Sequence, residues 1–214
     1  MRKTLLKPIL SFALILCSTG IVQAAIVIDE GLDNDGLNSA VSDISGKAAN
    51  FVMAAGDDYT LTSIVLGIGK INTDADPIVE LWSDDGTSAP IGTWMETLTN
   101  PGTFTADAAN TFTSSGTTLS ASTTYWVVVT GENGNTFQWL GGNDVGDTDV
   151  TSDIGATHTA RLFGSTGSEG SWSSSSSVLN QIQVNAAVIP EPSTMVMFGL
   201  AGIAVVVSRK RRRG

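Results

Sequence analysis

Five consecutive residues, Tyr125-Trp126-Val127-Val128-Val129, are all aromatic or β-branched and carry no charge. Side chains of this kind lose rotamer freedom in a helix but pack well on a pleated surface, so the run predicts a strand. Because polar residues do not alternate with apolar ones, Thr123 to Thr130 predicts a central strand buried on both faces. The surrounding sequence supplies short apolar segments separated by Gly, Ser, Thr and Asp, with few strong helix formers. That spacing points to antiparallel sheets and not to βαβ units. Residues 25–189 number 165, enough for one core and too few for two comfortable domains. The expected fold is all-β, a single antiparallel β-sandwich wound like a jelly roll.

Other segments fill in the sheets. Ala25 to Ile28 predicts a first strand and Phe51 to Ala54 another, the latter ended by Gly56-Asp57-Asp58. In Thr60 to Ile68, period two places Thr60, Thr62, Ile64, Leu66 and Ile68 on one face, with Leu61 and Val65 on the other. Ile78 to Trp82 ends in the turn Ser83-Asp84-Asp85-Gly86, and Ile91 to Leu98 can pair back across it. Phe137 to Leu140 is expected to pair with the Thr123–Thr130 strand through the turn at 131–135. Arg161 to Phe163 and Val178 to Val184 would close the sheets. Ser171 to Ser177, which contains Trp172, reads as a serine-rich loop.

Both ends carry apolar segments of a different kind. Arg2, Lys3 and Lys7 precede an apolar run from Ile9 to Cys17, and Val22-Gln23-Ala24 offers a cleavage site, so residues 1–24 read as a signal peptide. Cys17 follows Leu16 where a lipoprotein signal wants a small residue, which argues against lipidation. The only cysteine would leave with the signal, and the exported domain would then be held by its core without a disulfide. At the other end, Pro190-Glu191-Pro192 fixes two φ angles and removes two N–H donors, holding an extended segment. An uncharged run from Ser193 to Ser208 follows, then Arg209, Lys210, Arg211, Arg212 and Arg213. The run is 16 residues, short against the roughly 20 of a full span, and snorkelling of the basic side chains covers the difference. The positive-inside rule keeps the basic cluster cytoplasmic. The alternative is an ordinary tail anchor that is never cut.

This order of parts closely resembles the PEP-CTERM sorting signal of Gram-negative bacteria. The resemblance implies that residues 190–214 hold the protein in the inner membrane during export as a transmembrane helix, and that an exosortase then acts on the tail at Pro190, Glu191 and Pro192. Sec translocon and signal peptidase would be the earlier partners, and cell surface or extracellular matrix the destination. The family's association with exopolysaccharide implies a biofilm role. The middle also resembles the choice-of-anchor surface domains, most closely type R. The segments that carry the likeness are Leu61 to Gly69, Val79 to Gly86 and Leu119 to Val129. That family is defined by its anchors and brings no catalytic residues.

Charge and residue chemistry narrow the function of residues 25–189. Lys47, Lys70 and Arg161 face 20 acids, a formal charge of −17, which repels phosphate backbones and argues against nucleic acid. His158 is the one histidine and lies in a polar stretch that reads as exposed; no Gly-x-Ser-x-Gly elbow accompanies it. One histidine and no cysteine give zinc little support. Glu80 and Glu96 are the pair that could flank a glycosidic bond, although Glu80 reads equally as the solvent-facing member of an edge strand. The chain therefore reads as non-catalytic.

Two binding chemistries stay open. Asp33 and Asp35, with Asp29, Glu30 and Asn34, precede Gly36 and offer hard oxygen ligands to calcium, though the bidentate glutamate of an EF-hand is missing. Asn143, Asp144, Asp147, Asp149 and Asp153 form a second acidic group. No other cofactor is expected. Trp82, Trp94, Trp126, Trp139 and Trp172 raise carbohydrate binding as the alternative function, with a secreted hydrolase behind it. Trp126 and Trp82 are expected in the core, and Trp172 on the surface.

Overall fold

The computed structural model describes residues 24–31, 37–69, 76–84, 86, 92–132, 136–142, 150–158, 161–164, 172–174 and 179–189. The expected signal peptide, the tail from Pro190 to Gly214, and Asp33 and Asp35 lie outside them. Among the described residues the regular structure is strand: β1 (Ala24–Asp29), β2 (Leu37–Ser42), β3 (Gly46–Val52), β4 (Tyr59–Ile68), β5 (Ile78–Ser83), β6 (Thr93–Thr97) and β7 (Ala108–Thr113). They continue as β8 (Thr118–Leu119), β9 (Thr124–Thr130), β10 (Thr136–Gly142), β11 (Arg161–Gly164), β12 (Trp172–Ser174), β13 (Leu179–Asn180) and β14 (Ile182–Val188). Among the described residues no helix is long and apolar enough to cross a membrane.

The strands form two antiparallel sheets. The six-stranded sheet runs β12-β11-β3-β9-β5-β6, and β9 lies inside it with all of Tyr125 to Val129 buried, as its composition predicts. The eight-stranded sheet follows β1-β14-β4-β10-β13, with β2 on β10 and with β7 and β8 on β4. Phe51, Leu81 and Val127 from the first sheet meet Ile64, Phe112, Trp139 and Val184 from the second in one core. Alternation along β9 sends Tyr125, Val127 and Val129 into that core, while Trp126 and Val128 point to the opposite face.

Four expectations need correcting. Phe137 to Leu140 does strand-pair, but β10 joins β2, β4 and β13 in the other sheet, because β3 and β5 already occupy both edges of β9. In β4 a register shift opposite Asn185 and Ala186 breaks the period of two, so Leu61 turns inward with Ile64, Leu66 and Ile68. Trp172 to Ser174, read as part of a loop, is strand β12 on the sheet edge. Glu80 does not lie on an edge strand, since β5 pairs with both β9 and β6.

The segment Leu119 to Val129 links the sheets through a tied corner. Leu119 is buried on β8, and Ser122 takes a left-handed φ of 55° at the turn. The Tyr125 hydroxyl accepts the Ser120 N–H at 2.7 Å, and the Asp58 carboxylate accepts the Ala121 N–H at 2.9 Å. Tyr125 also stacks on Phe51, with ring centroids 5.5 Å apart.

Candidate functional site

Four of the five tryptophans gather on the outer face of the six-stranded sheet. Trp82 of β5 is the register partner of Trp126 on β9 and of Trp94 on β6, so three indoles lie in a row across neighbouring strands. Strand spacing sets their backbones about 4.7–4.9 Å apart from one strand to the next. Trp172 reaches the same face from β12: its partner is Gly164, whose partner is Gly46. Those positions lack side chains, and Trp172 packs against Ala48, Trp126 and Val128. Trp126 is 4% exposed, Trp82 and Trp172 are half-buried, and Trp94 is 51% exposed.

Polar partners hold this row in place. The Trp82 indole N–H donates to Glu80 at 3.1 Å, and the Thr97 hydroxyl donates to the other oxygen of that carboxylate at 3.2 Å. Trp94 donates to the Thr97 hydroxyl at 3.4 Å, and Trp126 donates to Asp84 at the same distance. Trp82, Thr97 and Trp94 are thereby linked through one carboxylate and one hydroxyl. Trp139 is the exception among the five: it is wholly buried and donates to the Gln181 carbonyl at 2.9 Å.

Of the two rings expected in the core, Trp126 is buried, whereas Trp82 is half-buried, as is Trp172, the ring expected on the surface. Trp94 is the exposed ring. Trp126 is buried on the outer face in a separate cluster with Ala48 and Val128. The signal was present in the alternation of Glu80 with Trp82, which puts a carboxylate and an indole two residues apart on one side of a strand.

Glu80 and Glu96 are not brought together. Glu80 shares the outer face with Trp82, whereas Glu96 pairs with the inward-facing Leu81 and is buried. The Glu96 carboxylate accepts from the Ser114 hydroxyl, from the Ser115 hydroxyl at 2.6 Å and from the Ser115 N–H at 3.0 Å. Burial pushes its pKa up, but hydrogen bonds from Ser114, Ser115 and Thr117 outweigh that and hold it below its ordinary value. Glu96 is a structural anchor between β6 and the segment after β7.

His158 is not exposed. Paired backbone bonds between Val52 and Thr157 bring it beside β3, and its side chain is 7% exposed. Nδ1 donates to the Asn50 carbonyl at 2.6 Å and lies 3.1 Å from the Glu30 carboxylate. Glu30, read as part of an acidic loop, is therefore turned inward. Asp29 accepts from Gly31 N–H and from Gln183, while Asp153 accepts the Ile26 N–H at 2.9 Å. These carboxylates hold backbone in place. Among the described residues no group of three or more His, Cys, Asp or Glu is arranged to hold a metal. Asn143, Asp144, Asp147 and Asp149 lie outside them.

Residues 188–213 match the family model described as the PEP-CTERM protein-sorting motif. The match begins at Val188, the last residue of β14, and takes in Pro190-Glu191-Pro192 and the basic run from Arg209 to Arg213. The chain thus carries a C-terminal sorting signal of the kind that exosortase substrates bear, and the motif implies export with sorting through the membrane. No curated protein and no solved structure matches the chain.

Proposed function

We propose that this is a non-catalytic surface or extracellular-matrix protein of a Gram-negative bacterium, released from the inner membrane when an exosortase acts at Pro190-Glu191-Pro192. The observation that carries the reading is the abutment of the sorting motif on β14, an interior strand of the eight-stranded sheet. Cleavage beyond Ile189 removes the tail without touching a strand.

The earlier steps belong to the same proposal. The Sec translocon takes up the chain through residues 1–24, and signal peptidase cuts after Ala24. The apolar run and Arg209–Arg213 then hold the protein with its basic end in the cytoplasm. Assignment of the middle to the choice-of-anchor domains, with a jelly-roll winding, is supported by its three sequence segments falling on β4, on β5 with its turn, and on β8 to β9. A link to exopolysaccharide and biofilm follows from the likeness to sorted proteins of this kind.

Fractionation tests the proposal. In the native host the wild-type protein should leave the inner membrane, and a variant with Pro190, Glu191 and Pro192 all changed to alanine should accumulate there at full length. Equal release of both would remove the role given to the motif.

A further inference from the structure

The outer face of the six-stranded sheet has the makings of a ligand site of its own. Apolar side chains on a sheet face are ordinarily covered by a second layer, as the inner face is covered here. On the outer face Trp94 stays 51% exposed beside half-buried Trp82, and both rings have their N–H groups tied to the same sheet. Aromatic side chains held in one orientation lose little freedom on binding, so what they contact gains most of the interaction. Ala48, Val128 and Trp126 of this face are nearly fully buried, so its open apolar surface is the Trp94 ring with the accessible part of Trp82.

Two properties select the ligand. An indole face carries negative potential and favours the slightly positive C–H groups that a pyranose ring presents on one side. Sugar hydroxyls at the ring edge need acceptors and donors close to that stack. Glu80 and Thr97 form the register pair beside the two indoles, and each carboxylate oxygen of Glu80 has lone-pair capacity beyond the single bond it accepts. Charge then excludes acidic glycans. Residues 25–189 carry a formal charge of −17, so polyuronates and sulfated chains are repelled while uncharged ones are not.

We propose that the outer face of the six-stranded sheet binds a neutral polysaccharide, with Trp94 and Trp82 stacking on its pyranose rings and Glu80 and Thr97 bonding its hydroxyls. Trp126, the buried member of the row, flanks Trp82, and Trp172 packs against the same cluster. The site is independent of the tail and of its processing.

Affinity electrophoresis of the full chain in non-ionic detergent tests this directly. Native gels are cast with hydroxyethylcellulose, galactomannan or arabinoxylan, and with alginate as the acidic control. At least one neutral polysaccharide should retard the protein, and alginate should not. Trp94→Ala should weaken that retardation by at least tenfold, Trp94→Phe should weaken it less, and Glu80→Gln should weaken it severalfold. Because Trp94 is exposed, its variants should melt with the wild type, which separates lost binding from lost folding. Free migration through all the neutral gels would overturn the proposal, and so would retardation that survives Trp94→Ala. A wild-type dimer that Trp94→Ala converts to a monomer, without glycan binding, would assign the face to a second copy and equally overturn it.

Discussion

Ala25 and Ala186 are register partners on β1 and β14. Ala25 is the first residue after the expected signal cleavage, and Ala186 precedes Pro190 by four positions. The domain's two ends therefore run antiparallel and leave the eight-stranded sheet side by side at one pole. A chain held at both ends by a membrane could fold with this pole toward the bilayer and with the rest of both sheets clear of it. Neither anchor needs to be released for the strands to pair.

That arrangement predicts that the tail adds nothing to the stability of the sheets. The last described backbone bond runs from Ile189 N–H to the Asp58 carbonyl at 3.0 Å. A chain ending at Ile189 should melt within a degree or two of the full chain in the same detergent. A loss of 10 °C or more, several kcal/mol for a domain of this size, would mean that the tail packs on the fold.

The Tyr125 hydroxyl ties the corner between β8 and β9 through Ser120. Tyr125→Phe keeps the stack on Phe51 and removes only the acceptor. It should cost about 1 kcal/mol, the usual net worth of such a bond, and up to about 3 kcal/mol if the Ser120 N–H is left unsatisfied. Chemical denaturation should register this as a lower midpoint at unchanged slope.

Glu96 predicts an acid dependence with a definite sign. Its pKa is lower in the folded protein than its ordinary value near 4.5. The carboxylate therefore contributes stability that is fully present above that ordinary value and is lost as pH falls through the folded value. Glu96→Gln places an amide against hydroxyl donors and should cost about 1.5–3 kcal/mol at pH 7, in line with hydrogen bonds to a charged group. The gap between variant and wild type should narrow as pH falls below about 4.5. A gap independent of pH would show that Glu96 is not held ionised by its serines.

Gly67 allows a close approach. A methyl group there would meet the Gln181 side chain, with Cβ and Cδ at 3.0 and 2.9 Å and Oε1 closer still. Gln181 is 2% exposed, so its side chain has no open water to swing into. Its carbonyl also accepts the Trp139 indole N–H and the Gly67 N–H. Gly67→Ala should therefore destabilise by about 1–3 kcal/mol, a typical overpacking cost, read from thermal unfolding.

How much of this was legible depended on whether a residue's role was set locally. Tyr125 to Val129 form a buried inner strand because composition alone demands it, and the pairing of β5 with β6 follows from two apolar runs with a turn signal after the first. The partner of β10 was not legible, since it depends on which edges β3 and β5 leave free. Leu61 was misassigned because a bulge, invisible in the alternation, shifts β4 by one residue. His158 looked exposed in a polar stretch, but a bridge between Val52 and Thr157 buries it against Asn50 and Glu30. The tryptophan row was half legible. Glu80 and Trp82 share a face by spacing, whereas the meeting of Trp82 with Trp94 and Trp126 depends on register across three strands.

Intact-mass spectrometry of the protein recovered from outside the inner membrane tests the central claim most directly. The account predicts an N-terminus at Ala25 and a C-terminus at or beside Pro190-Glu191-Pro192, with every described strand retained apart from Ala24. A released protein whose mass still includes the apolar run and the basic residues through Gly214 would contradict it.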